Sequence, residues 1–290
     1  MLLAIRITPV EPRIRALDLG VRQAAAPEAP VPAAPKDLEN QAVAVKQGIA
    51  DAREFFARHG VGAHEGNGPI DVELKPGMDN AAYSQAKDGS EKIIMGENGD
   101  TGLPYAYAGD VIAHEYAHRV VDHKIGLHGT GEAGTVGESL ADTFAAAIDP
   151  DPNWTIGETV KHDGVRSMDQ PNRPQDAIET PNGTIERPAD IRAKIETQQD
   201  QGGVHLNVGI PNKAAATIGK TLGKEAMGDI YMRALDNHLT PDVDIAGLAM
   251  ATLQSASELY GADSRATQVV ADAWKGVGFN VQRNDSNSPA

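Results

Sequence analysis

The sequence predicts an α+β protein: a small lobe of mixed helix and strand, followed by a mainly helical lobe. Three observations carry this. Strict apolar–polar alternation, the mark of a half-buried strand, runs through Ile70-Asp-Val-Glu-Leu74 in the first part of the chain. Helical spacing of apolar residues dominates from residue 110 onward. The 290 residues, 40% apolar and 23% charged, suit a soluble globular protein of one large domain or two modest ones.

Taken in order, residues 1–36 do not read as a folded domain. Residues 24–35 are almost all Ala and Pro, a composition of extended linkers, and residues 2–7 offer at most a short strand. A first helix is expected over about 38–59. Asp37 would cap it, Val43, Val45, Ile49, Ala52, Phe55 and Phe56 would form its apolar side, and Gly60 would end it. Ile70-Asp-Val-Glu-Leu74 alternates as a strand should, and Lys92-Ile-Ile-Met95 reads as another, with Gly- and Asn-rich turns between them.

Two helices follow, at 111–125 closed by Gly126 and at 132–148 stopped by Pro150. Residues 150–203, rich in Pro, Asn, Asp and Gly, form a long irregular region of the kind that usually serves function. Four more helices are expected at 210–222, 224–237, 243–260 and 264–276. The resulting organisation is a flexible segment 1–36, a lobe 37–126, a helical lobe 127–280 and a polar, disordered tail 281–290.

The formal net charge of −15 argues against nucleic acid or anionic membrane as a partner. Cysteine is absent, so disulfides, thiolate metal sites and cysteine nucleophiles are excluded, and any zinc must be held by imidazole and carboxylate. The first five residues are apolar but Arg6 follows, too short a run for a secretory core. No apolar run approaches the roughly 20 residues of a membrane span.

The chemistry centres on His114-Glu115-Tyr-Ala-His118, an HExxH motif. Two histidines four apart on a helix lie on one face, one turn from each other, which suits two ligands of one tetrahedral zinc. Glu115 follows the first ligand and is placed to reach a water rather than the ion. The apolar residues Val111, Ile112 and Ala113 bury this helix, so the histidines face an interior cleft. A zinc hydrolase needs a third protein ligand and an open position. Glu138, on the next helix, can supply the ligand, the chain between Gly126 and Gly137 being long enough to turn back. Asp142, one turn further on an apolar helix, can accept the second N–H of a ligand histidine. Downstream, Asp200-Gln-Gly-Gly-Val-His205-Leu-Asn207 sets a histidine just before a helix; with Asp200 nearby it could be held charged and donate to an oxyanion.

Over roughly residues 40–280 the chain resembles the thermolysin family of metallopeptidases. The matching stretches are His114-Glu-Tyr-Ala-His118, Gly137-Glu138-Ser-Leu-Ala-Asp142, Trp154-Thr-Ile-Gly-Glu158, Arg166-Ser-Met168, Asp200 through Asn207, and Gly209-Ile-Pro-Asn212-Lys213-Ala-Ala. The resemblance implies a cleft between the two lobes and a zinc endopeptidase with His114, His118 and Glu138 as ligands, Glu115 as base and Asp142 behind a ligand. It implies His205 as transition-state donor oriented by Asp200, and Arg166 holding a substrate carbonyl. Asn80 and Ala81 would lie on an edge strand that pairs with the peptide main chain. Val111, Ile156 and Val165 would line the pocket for the residue after the cut, giving cleavage before apolar residues. A protein or peptide substrate, a monomer and a secreted location are implied too, although no export signal is visible.

The departures from the family pattern are specific. The N-terminal lobe is reduced. The family's tyrosine beside His205 falls on Gly129, with His128 adjacent. Of the paired calcium site Asp110, Asp149, Asn153 and Glu158 match, but one acid falls on Thr155, so one calcium at most is expected; helix capping by Asp110 is the competing explanation. The alternative function is a zinc-binding protein of this type with one target or no proteolysis. Retention of Glu115, His205 and Arg166 weighs against it, because metal binding alone needs none of them.

Overall fold

The computed structural model describes residues 38–127, 129–180 and 183–281. The expected segment 1–36, the Asp37 cap, His128 and all of the expected tail except Val281 lie outside these residues.

Helix α1 (Leu38–Arg58) buries Val45, Ile49, Ala52, Phe55 and Phe56. Val43, expected on the same side, is instead 61% exposed. At 100° per residue it lies across the helix from Val45, Ile49 and Phe56, so the apolar stripe starts one turn later than the composition suggested. Strands β1 (Asp71–Leu74), β2 (Ala81–Gln85) and β3 (Glu91–Met95) form one sheet in the order β1-β3-β2. β1 runs parallel to β3, and β2 runs antiparallel to it with Tyr83 opposite Ile93. The residue pattern alone read 75–91 as turns, because Ala81-Ala82-Tyr83-Ser84-Gln85 does not alternate. Its pairing with β3 makes it a strand.

Helices α2 (Gly109–Ile125) and α3 (Gly131–Ile148) lie side by side, and α2 also packs on α1 and β2. Four aromatic residues meet where α1, α2 and α3 come together. Phe56 is edge-on to Phe144 at 5.4 Å and stacks on Tyr116 at 6.1 Å, while Phe55 lies 6.0 Å from Phe144. Gly48 permits the close approach of α1 to α2, since a Cβ there would come within 3.0 Å of the Ile112 side chain.

The irregular region holds two small ladders, β4 (Thr155–Ile156) with β5 (Arg166–Ser167) and β6 (Ile178–Thr180) with β7 (Gly183–Ile185). It ends in a distorted helical turn, α4 (Asp200–Asn207), that leads into α5 (Gly209–Leu222). Helices α6 (Lys224–Asn237), α7 (Ile245–Tyr260) and α8 (Arg265–Gly276) complete the helical part. α7 starts two residues later than expected because Asp244 caps it, accepting from the Gly247 N–H at 2.7 Å. Ser264 caps α8 in the same way. The fully buried Trp274 donates its indole N–H to Thr252 Oγ1 at 2.8 Å and so ties α8 to α7.

Phe144 is fully buried and its ring meets both Phe55 and Phe56 of α1, so Phe144→Ala is expected to destabilise the fold by about 3–5 kcal/mol. The midpoint of urea denaturation, followed by circular dichroism, measures this.

Candidate active site

The helical spacing in α2 puts His114 and His118 one turn apart, and their Nε2 atoms converge to 3.0 Å. Two imidazole nitrogens do not approach so closely unless a proton or a cation lies between their lone pairs. From α3, Glu138 Oε2 lies 3.5 Å from His114 Nε2 and Oε1 lies 3.2 Å from His118 Nε2. Ligands of a tetrahedral zinc at its usual bond lengths stand about 3.3 Å apart, so these three donors fit that ion. Glu115 is also close to both imidazoles. Its Oε2, however, already accepts the backbone N–H of Tyr83 at 2.7 Å, which leaves Glu138 as the better third ligand.

Asp142 lies one turn beyond Glu138 and is fully buried. Its carboxylate accepts from His114 Nδ1 at 2.8 Å, from Arg166 Nε and Nη2 at 2.7 and 2.6 Å, and from Asn212 Nδ2 at 2.7 Å. Burial alone would raise its pKa; the Arg166 guanidinium and His114 overcome that and hold the carboxyl far below the usual range. The His114 Nδ1–H donated to Asp142 leaves Nε2 as the metal-facing nitrogen. Burial works against protonation of His114, but Asp142 and Glu138 outweigh it and push its pKa up to about 10. A cation binding here therefore displaces a proton.

His205 faces the same centre from α4, with Nε2 3.5 Å from Glu138 Oε2. Asp200 holds it twice: Oδ1 takes its Nδ1 at 2.6 Å, and Oδ2 takes its backbone N–H at 2.6 Å. Burial disfavours the imidazolium, but Glu138 and Asp200 reverse this and raise the pKa. The sequence set His205 before a helix, whereas it stands within a helical turn. Residues 200–203 all have positive φ, and that reversal lets Asp200 fold back onto a residue five positions later.

These groups open on a cleft of about 300 Å³. Asn80, Ala81, Val111, Ile156, Val165 and Arg166 line it together with His114, Glu115 and His205. Every residue expected to touch substrate is thus on one wall or another. Arg166 reaches the cleft as part of its bidentate pair with Asp142.

The four candidate calcium residues behave differently from one another. Asp110 is not the cap of α2, which is Ala108; its carboxylate accepts the N–H of Val111 at 2.8 Å and that of Gly157 at 2.5 Å. Burial, with Glu158 and Asp149 nearby, pushes its pKa up to about 7. Glu158 receives Asn153 Nδ2 on Oε1 at 2.9 Å, while its buried Oε2 has no partner among the described residues. Asp149 lies 3.7 Å from the Lys224 ammonium, which also binds the Asp149 and Asp151 carbonyls.

Comparison with known proteins agrees with this geometry. The α-helical domain of thermolysin metallopeptidases matches residues 126–279, more than half of the chain. The chain belongs to the thermolysin family. It is 36% identical over 200 residues to a zinc metalloproteinase of Listeria monocytogenes, covering 67% of this chain and 37% of the relative. It is 36% identical over 194 residues to an extracellular elastase of Staphylococcus epidermidis, covering 65% and 36%. The precursor of protealysin, a metalloproteinase from Serratia proteamaculans, superposes with a TM-score of 0.69 at 28% identity, covering 85% of this chain and 80% of that one. The chain spans less than half the length of the curated relatives it matches.

Sequence reasoning missed several family-site neighbours. Asn212 stood in a matched stretch but carried no role until its amide met Asp142 across 70 positions of chain. Tyr83, two residues beyond the expected edge-strand residue Ala81, carried no role until its N–H met Glu115. Glu91 had no signal: its carboxylate gathers Tyr83 Oη at 2.8 Å, Arg119 Nε at 2.8 Å and His123 Nε2 at 2.6 Å, fastening β2 to α2.

Burial alone would raise the pKa of Glu91, but these three donors lower it to about 2. Its contribution to stability is complete above its ordinary pKa of 4.5 and is lost as pH falls toward 2. Glu91→Gln is therefore expected to melt below wild type at pH 7, with the difference closing between pH 4.5 and 2. Thermal melts across that range check the sign.

Proposed function

We propose that the protein is a zinc-dependent endopeptidase that cleaves on the N-terminal side of apolar residues. The convergence of His114, His118 and Glu138, with Glu115 held beside them by the Tyr83 N–H, carries the reading. A zinc ion held there supplies Lewis acidity, polarising a carbonyl oxygen and making water a better nucleophile.

The chain's own residues account for the rest. β2 pairs with β3 on one side only, and the Tyr83 N–H points away from β3 toward Glu115. By the two-residue period of a strand, the amide and carbonyl of Ala81 face the cleft as well, where an extended peptide can add as a further strand. Arg166, steadied by Asp142, is poised to donate to a substrate carbonyl. Val111, Ile156 and Val165 form an apolar recess that favours an apolar side chain after the cut. Glu115 removes a proton from the attacking water and returns it to the leaving nitrogen. His205, kept charged by Asp200 and Glu138, donates to the oxygen that gains charge. Action outside the cell is part of this proposal, supported by the likeness to the extracellular elastase of Staphylococcus epidermidis.

Glu115→Ala should keep one zinc per chain and lose at least about a hundredfold in turnover of an apolar peptide. Addition of 1,10-phenanthroline should abolish wild-type turnover. Zinc bound equally by both proteins with no cleavage by wild type would instead favour the binding-only alternative.

We also propose one calcium at Asp110 and Glu158. The unpartnered Glu158 Oε2 and the raised pKa of Asp110 support an uncompensated acidic site, while Lys224 already serves Asp149. Millimolar calcium is expected to raise the melting temperature of wild type and not that of Glu158→Gln.

A further inference from the structure

Beside the cleft that holds Asn80 and Arg166 lies a second hollow of about 240 Å³, walled by Gly129, Gly134 and Gly137. Four residues line both spaces: Tyr83, Glu138, Gln201 and His205. They mark the junction between the two hollows, beside the facing imidazoles. Three have committed polar atoms. Tyr83 Oη donates to Glu91, Glu138 faces the imidazoles, and His205 Nδ1 is held by Asp200. The Gln201 side chain alone is exposed with no hydrogen-bond partner among the described residues.

Its backbone is held in an unusual place. Gln201 has φ 54° and ψ 31°, a left-handed conformation that costs a residue with a β-carbon. Gly202 and Gly203 follow in the same region, and a Cβ on Gly202 would meet the Gly131 backbone at 3.0 Å. Asp200, bound to the backbone N–H groups of His205 and Leu206, fixes the other side. A glycine would satisfy this turn with less strain, so a glutamine here points to work done by its side chain. Across the hollow, a Cβ built on Gly129 would meet nothing within 4 Å, so the space there is open.

We propose that the Gln201 carboxamide is a second donor, beside His205, to the oxygen of the peptide bond under attack. This rests on the endopeptidase reading. The N–H group of a neutral amide strengthens its hydrogen bond as that oxygen gains charge, so the gain falls on the transition state more than on the bound substrate.

The test compares wild type with Gln201→Gly and Gln201→Glu, all zinc-loaded, on an apolar fluorogenic peptide. Gln201→Gly should melt at or above the wild-type temperature and keep its zinc, yet lose about tenfold to a hundredfold in kcat with little change in KM. Gln201→Glu, of the same shape, should lose more, because it sets negative charge against the developing oxyanion. Equal kcat in wild type and Gln201→Gly, or a change confined to KM, overturns the assignment. The Kd of a phosphonamidate peptide, a stable tetrahedral mimic, separates this from failure of the endopeptidase reading. It should rise by a similar factor in Gln201→Gly whether or not wild type cleaves, and an unchanged Kd also overturns the proposal.

Discussion

The buried carboxylate of Asp142 is the point on which the site depends. It joins α3 to α2 through His114, to β5 through Arg166 and to α5 through Asn212. A carboxylate fully removed from water is tolerable only when its lone pairs are filled by well-placed donors, and here four N–H groups fill them. The same contacts fix the His114 ring and turn the Arg166 guanidinium toward the cleft. One charge thus orients a metal-facing nitrogen and a substrate-facing cation together.

The second constraint is the left-handed turn at 200–203. Without it, residues 200 and 205 would face away from each other, because on a regular helix five positions turn the chain by about 500°, roughly 1.4 turns, and put the side chains on different faces. Reversing the chain brings the Asp200 carboxylate to the imidazole and to two backbone N–H groups at once. The donor His205 is consequently set by a backbone conformation rather than by packing of its ring.

The cleft between the lobes is closed on one side by a strand with a free edge. Such an edge invites pairing, and in this chain its outward N–H at Tyr83 is already used to steady Glu115. Glu91, Arg119 and His123 hold that strand against α2, so Glu115 and the free edge of β2 keep a fixed relation to the histidines. Against the net charge of −15, the Arg166 guanidinium of the site is paired to the buried Asp142, and His205 to the half-buried Asp200.

The sequence by itself determined the helices, because their apolar spacing and caps are local: α6 has the expected bounds, and α7 and α8 differ only where Asp244 and Ser264 cap them. It also determined the pairing of His114 with His118, since four residues on a helix leave no other geometry. Glu138 as a third donor and Asp200 beside His205 were read from their placement along the chain, and the resemblance to the family implied the same set. The residue pattern did not show β2, whose strand forms by pairing with β3; only the resemblance placed Asn80 and Ala81 on an edge strand. Tertiary structure alone exposed Val43. It alone brought Asn212 to Asp142 and Glu91 to Arg119, and set Gln201 where two hollows meet. These contacts join residues far apart in the chain, where no period or cap links them, so they exist only once the helices have packed.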